Sequence, residues 1–163
     1  MEGTTGSDSG AQIRDGMKVV AGGFVSEAEW PYDVGTFSTP PDLAKLDQDA
    51  KRDHVISYQR VGRDFGMRAC LADGYPFVMG VSVYSSFETA TLGEIPMPQT
   101  SEQLLGGHAI LCVGYDSKTQ RYTFRNSWGD GWGQGGYGTL PMAYLHDASL
   151  SSDFWHVSSE VLK

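Results

Sequence analysis

The stretch GGHAILCVGYDSKTQRYTFRNSWGDGWGQGGYG, Gly106 to Gly138, holds His108, Cys112 and the chain's only asparagine, Asn126. A thiol that attacks a carbonyl, an imidazole that takes and returns its proton, and an amide that orients the imidazole form one known arrangement for cleaving an amide bond. Spacing decides whether Cys112 is that thiol. It lies four residues after His108 on what reads as one strand. Both side chains then point to the same sheet face, about 13 Å apart at roughly 3.3 Å per residue. That is beyond hydrogen-bond reach, and Leu111 and Val113 around the thiol mark a packed strand. Cys70, in MRACLADG, falls mid-helix beside Met67 and Leu71, with no basic neighbour on its C-terminal side to lower its pKa. Reactive cysteines need an activated, accessible setting, so both thiols are expected to be buried and reduced. Ser7 and Ser9 have no nucleophile motif around them.

The histidine and the asparagine form a better pair. His108 opens a strand, and Asn126 ends the return strand of a hairpin eighteen residues later. Adjacent antiparallel strands bring such side chains side by side. A histidine donates and accepts through different nitrogens, so an amide oxygen that fixes one aims the other at a nucleophile. Gly129, Gly131 and Gly133 around Trp132 read as a turn stapled by two tryptophans. No helix follows, and Asp130 would repel an anion, so this is not a phosphate loop. His54, His146 and His156 lack partners at metal-ligand spacing, so neither a metal nor a cofactor is expected.

The elements that must position these residues follow from periodicity and punctuation. SGAQIRDGMKVVA, residues 9–21, predicts a helix with Ile13, Met17 and Val20 on one face, Ser9 as N-cap and Gly22-Gly23 as its end. EAEWPYD predicts a packed turn, residues 34–41 a loop, and PDLAKLDQDAK a short helix with Asp42 near its start. Beyond it, HVISYQRV at 54–61 is β-rich, 62–74 reads as a helix ending at Gly74, and 76–84 as a largely buried strand. A long loop with Pro96 and Pro98 covers 90–105. Strands follow at 108–115, 121–126 and about 136–140, with Asp116 to Gln120 as a hairpin connection, PMAYLH as a short helix and DFWHV as a last strand. Helices first and antiparallel strands later give an α+β class with a half-barrel or barrel in the C-terminal two thirds.

Composition bounds the partners. With 163 residues, 40% hydrophobic and 12% aromatic, the chain has enough apolar material for one packed domain. A net charge of -8 speaks against a nucleic-acid groove, which needs clustered Lys and Arg. The first ten residues, MEGTTGSDSG, lack the basic start and apolar run of a signal peptide, and no apolar run is long enough to span a bilayer. A soluble protein of undetermined compartment is the expectation.

GGHAILCVGYD…YTFRNSWGDGWGQGGYG resembles the His and Asn blocks of the papain-like (cathepsin-type) cysteine peptidases. DSGAQIRDGMKVVA, WPYD, ACLADGYPFVMGVSVYSSF, IPMP and SSDFWHV resemble further stretches of the family's bacterial and archaeal branch. The resemblance implies a papain-like α+β fold, with residues 1–41 as the remainder of the helical left lobe and 42–163 as the β-barrel right lobe. It implies a peptide or protein substrate, His108 as general base and thiolate partner, Asn126 as its orienter and Trp128 as their shield. Ser9 and Gly10 would lie along the substrate, and the main specificity pocket would be lined by residues near Ala11, Val81 and Gly106-Gly107. The family's nucleophile block, Cys-Gly-Ser-Cys-Trp, and the glutamine before it do not occur in these 163 residues. The chain therefore reads as the C-terminal part of such a peptidase, inactive alone. A catalytically dead relative that binds peptides or a partner protein is the alternative. Lacking a central helix, it would expose apolar surface, which predicts self-association or a complementing N-terminal segment.

Overall fold

The computed structural model describes residues 10–36, 39, 42, 50 and 57–158. The helix expected over 41–51 lies outside the described residues apart from Asp42 and Ala50, as do Ser9 and residues 54–56. The chain divides into two compact units, residues 1–58 with 157–163 and residues 59–156.

In the first unit, helix α1 spans Ile13–Gly22 and buries Met17, with Ile13 and Val20 half-buried on the same face. It begins at Ile13, with Gln12 in the N-cap position and no side-chain cap, and not at Ser9 as the sequence predicts. Gly10, at φ 69, turns the backbone left-handed just upstream and prevents an earlier start. Gly23 ends the helix at φ 121, where a Cβ would meet the Ala50 carbonyl oxygen. The expected turn follows: Ser26 accepts the backbone N–H groups of Glu29 and Trp30, and the Glu29 carboxylate accepts from the Ser26 N–H and hydroxyl.

The second unit is built on a sheet. β1 (Ser57–Arg60), β2 (Phe77–Tyr84), β3 (Leu104–Asp116), β4 (Arg121–Arg125), β5 (Tyr137–Pro141) and β6 (Ser151–Ser158) stand in the order β1-β6-β2-β3-β4-β5. The strands form one six-stranded sheet with β1 and β5 at its ends. β2 pairs antiparallel with both β3 and β6, and β4 pairs antiparallel with β3 and β5. Helices α2 (Phe65–Ala72), α3 (Ser85–Glu88) and α4 (Met142–His146) sit between strands. α2 starts at Phe65 and not at residue 62, because Asp64 ahead of it holds φ 55 and ψ -95.

Alternation places the core. Phe77, Met79, Val81 and Val83 of β2 are buried while the residues between them are half-exposed, the period-two signature of a strand with one covered face. Ile110 and Cys112 of β3, Tyr122 and Phe124 of β4, and Leu140 of β5 join them, capped by Met142, Tyr144 and Leu145 of α4. Two irregularities adjust the pattern. A bulge between Cys112 and Gly114 leaves Val113 exposed. In β6, Asp153 adopts φ 58 beside the register shift against β2, and the consecutive Phe154 and Trp155 are then both buried. Arg63 ties the ends together. Its guanidinium donates to the Leu145 carbonyl, to the Ser151 hydroxyl (2.9 Å) and to the Ser151 carbonyl (2.5 Å), and lies over the Phe154 ring.

Candidate active site

His108 stands on β3 opposite Val81, on the face it shares with Ile110 and Cys112. Leu111 pairs with Arg125, so one further step of that register sets Asn126 opposite Ile110 and makes His108 its diagonal neighbour. At that separation the side chains meet: His108 Nε2 lies 2.8 Å from Asn126 Oδ1. Asn126 is 7% exposed, and its own N–H donates to the Gly136 carbonyl, which folds the glycine-rich turn back onto β4.

Hydrogen positions follow from donors and acceptors. The Ser127 backbone N–H donates to Asn126 Oδ1 at 2.8 Å, which identifies that atom as the amide oxygen. An amide oxygen only accepts, so His108 Nε2 must carry the proton and donate. In the neutral ring the lone pair is then on Nδ1, and among the described residues no hydrogen bond engages that nitrogen. The arrangement has a cost: Asn126 Nδ2 is buried with no partner among the described residues. An unmet donor of this kind costs about 1–3 kcal/mol.

Trp128 lies over the pair, its ring stacked on His108 with centroids 5.0 Å apart and planes at 21°. The indole is 39% exposed, so it covers the imidazole from one side and meets solvent on the other. Beneath it sit two further aromatics. Trp132 meets Trp128 edge to face at 5.5 Å, and the fully buried Phe87 of α3 meets it at 5.9 Å. Phe87 also stacks on Trp132 and packs against Phe124. The role of Phe87 has no signal in the sequence, because α3 is a single turn without periodicity.

The two thiols sit elsewhere. Cys112 is fully buried, and burial pushes its pKa up to about 12. Cys70, partly buried on α2, points its thiol at the Tyr75 carbonyl (3.3 Å), and burial first, then the nearby Asp73 carboxylate, raises its pKa. Neither is a thiolate at neutral pH. Gly106 and Gly107 are exposed on β3, opposite Val83 and Ser82, and nothing stands within 4 Å of where a Cβ would be on either. Gly10 and Ala11 are exposed in the first unit. Among the described residues no three His, Cys, Asp or Glu side chains are grouped to hold a metal ion, and no helix is long and apolar enough to cross a membrane.

The fold corresponds to a known class. The family model described as papain family cysteine protease matches residues 2–153, and the chain belongs to that family. The crystal structure of xylellain, a cysteine protease from Xylella fastidiosa, superposes with a TM-score of 0.90 at 38% identity, covering 98% of this chain and 65% of that one. An uncharacterised peptidase C1-like protein of Acanthamoeba polyphaga mimivirus is 34% identical over 168 residues, 95% of this chain and 54% of its own length. A digestive procathepsin L2 from Tenebrio molitor shares the fold at 22% identity, with a TM-score of 0.71. The fold is therefore papain-like α+β, and the chain spans about half the length of the first of these curated relatives.

Proposed function

We propose that this chain carries the base and orienter of a Cys-His-Asn peptidase site acting on peptide or protein substrates. In this reading His108 partners a thiolate and shuttles its proton through Nδ1, Asn126 holds the ring, and Trp128 keeps water from their hydrogen bond. One observation carries it: the 2.8 Å contact from His108 Nε2 to Asn126 Oδ1, which leaves Nδ1 as the free basic nitrogen. Gly106 and Gly107, beside His108, line the substrate. The thiol comes from outside these 163 residues, since Cys70 and Cys112 are both held protonated. Residues 1–41 then belong to the helical lobe and 42–163 to the lobe bearing His and Asn. The 38% identity to xylellain supports a place in the bacterial and archaeal branch.

A peptidase without its nucleophile loses about a millionfold in kcat, by analogy with a serine peptidase. The purified 163 residues should therefore not turn over a fluorogenic peptide. A synthetic segment bearing the family's Gln…Cys-Trp block should restore turnover that a thiol-alkylating reagent abolishes. Alkylation-sensitive turnover by the chain alone would place the nucleophile within it and sink the reading. Binding of the segment without turnover would favour a catalytically dead, peptide-binding relative.

A further inference from the structure

Gly93 is stacked backbone to backbone on two glycines of a turn forty residues further along, Gly133 and Gly138, beside the aromatic group. A Cβ on Gly93 would lie 2.8 Å from the Tyr137 carbonyl oxygen, 3.0 Å from the Gly138 Cα and 3.1 Å from the Gly133 Cα. One on Gly133 would meet the same Tyr137 oxygen at 2.3 Å. One on Gly138 would meet the Gly93 carbonyl oxygen and Phe124 at 2.7 Å and the Trp132 ring at 2.8 Å. Nearly all of these obstacles are backbone or packed ring atoms, so no side chain can swing aside. Gly93 also needs its φ of 72, and the residue before it, Leu92, is held left-handed at φ 52 although it is a bulky, exposed side chain. A backbone held against its preference points to a requirement elsewhere. The segment is pinned by the Ile95 N–H donating to the Thr139 carbonyl at 2.8 Å and by Arg121 donating to the Ile95 carbonyl at 2.7 Å.

We propose that Gly93 is a positioning residue for the His108–Asn126 pair. Its missing side chain lets the 91–95 segment close onto the 133–138 turn, which fixes Trp132, and Trp132 in turn sets the tilt of Trp128 over the imidazole. The path is continuous: Gly93 touches the Gly138 backbone, Gly138 faces the Trp132 ring, Trp132 meets Trp128 edge to face, and Trp128 stacks on His108. A single added methyl group at position 93 acts on the imidazole through this path without touching it. The catalytic meaning of the inference rests on the role proposed for His108, but the packing path can be measured without any enzymatic activity.

The test uses NMR of the whole chain, reading the Trp128 indole N–H, the His108 ring protons and exchange of the His108 Nε2–H with solvent. Gly93→Ala should shift the first two and speed the exchange by about tenfold or more, as a shielded hydrogen bond opens. Gly74→Ala is the control, because Gly74 has a positive φ (87), lies outside the 133–138 turn and has nothing within 4 Å of an added Cβ. It brings backbone strain without the collision, so it should lower stability while leaving the His108 and Trp128 signals in place. Equal shifts in the control and in Gly93→Ala, or unmoved signals in Gly93→Ala, would overturn the proposal. Should Gly93→Ala fail to fold, Trp132→Phe interrupts the path at its next member. Movement of the Trp128 and His108 signals supports the relay, and their constancy refutes it. Failure of the synthetic Gln…Cys-Trp segment to restore turnover in the unaltered chain would count against the function proposed for His108 and leave the packing path intact.

Discussion

Two positions on strand β3 carry residues able to do chemistry in opposite settings. His108 and Cys112 share one face four residues apart, and each is a residue type that does covalent or proton-transfer work. At the histidine end the strand is flanked by exposed glycines, the neighbouring amide is fixed, and an indole covers one side of the ring. At the cysteine end Phe77 pairs on one side and Phe124 on the other, and the thiol is sealed. Residue type supplies the potential for chemistry. Access and a fixed partner decide which group can use it.

The largest effect expected from this contrast is chemical. With its pKa near 12 against an ordinary 9.0, Cys112 holds about a thousandfold less thiolate at pH 8 than an exposed cysteine, at tenfold per unit. Alkylation of the folded chain should therefore modify Cys70 first, with Cys112 reacting only on unfolding, as peptide mapping can read. Reaction of Cys112 at the rate of a free thiol would erase the contrast. The same raised pKa makes stability depend on pH. The folded state holds the proton more tightly, so this contribution is complete below about pH 9 and is lost as pH rises toward 12. Cys112→Ala should flatten that alkaline decline in denaturant titrations, though Tyr122 and Tyr144, also raised to about 12 by burial, will keep part of it.

The histidine end is tested next, through its support. Phe87→Ala should lower unfolding free energy by about 3–5 kcal/mol, the range for truncating a buried phenylalanine, because the ring is fully buried against Phe124, Trp128 and Trp132. A urea titration measures this, and a loss under about 1 kcal/mol would mean that the aromatic group can close over the gap. The smallest effect is expected at Gly107. Nothing stands within 4 Å of an added Cβ there, so Gly107→Ala should change stability by no more than about 0.5 kcal/mol. A larger loss in thermal melts would show that the glycine serves the backbone and not the room beside His108.

Local signals made much of this legible in the sequence. The hairpin of β3 and β4, the buried alternation of β2 and the eighteen-residue spacing of His108 and Asn126 follow from period-two patterning and turn residues, and that pair meets through a direct hydrogen bond. Four residues per strand face also separated Cys112 from the imidazole. Features set by distant packing were not legible. The bulge at Asp153 serves the neighbouring strand, and the place of Phe87 depends on a turn forty residues further along the chain. The start of α1 fell to a glycine whose left-handed turn outweighed a good capping residue before it.

The sheet order also bears on how the chain is made. β2 is paired on one side with β3, which follows it closely, and on the other with β6, through contacts such as Val78 with Trp155. During synthesis, from N- to C-terminus, three strands (β3, β4 and β5) and α4 leave the ribosome between β2 and β6. Through that interval β2 presents an unpaired edge of alternating apolar residues, the kind of surface that recruits foreign strands. Such non-local pairing is slow to form and exposed to aggregation. Release of the nascent chain before Ser151–Ser158 emerges would leave the sheet open at its centre, next to the strand that carries the imidazole.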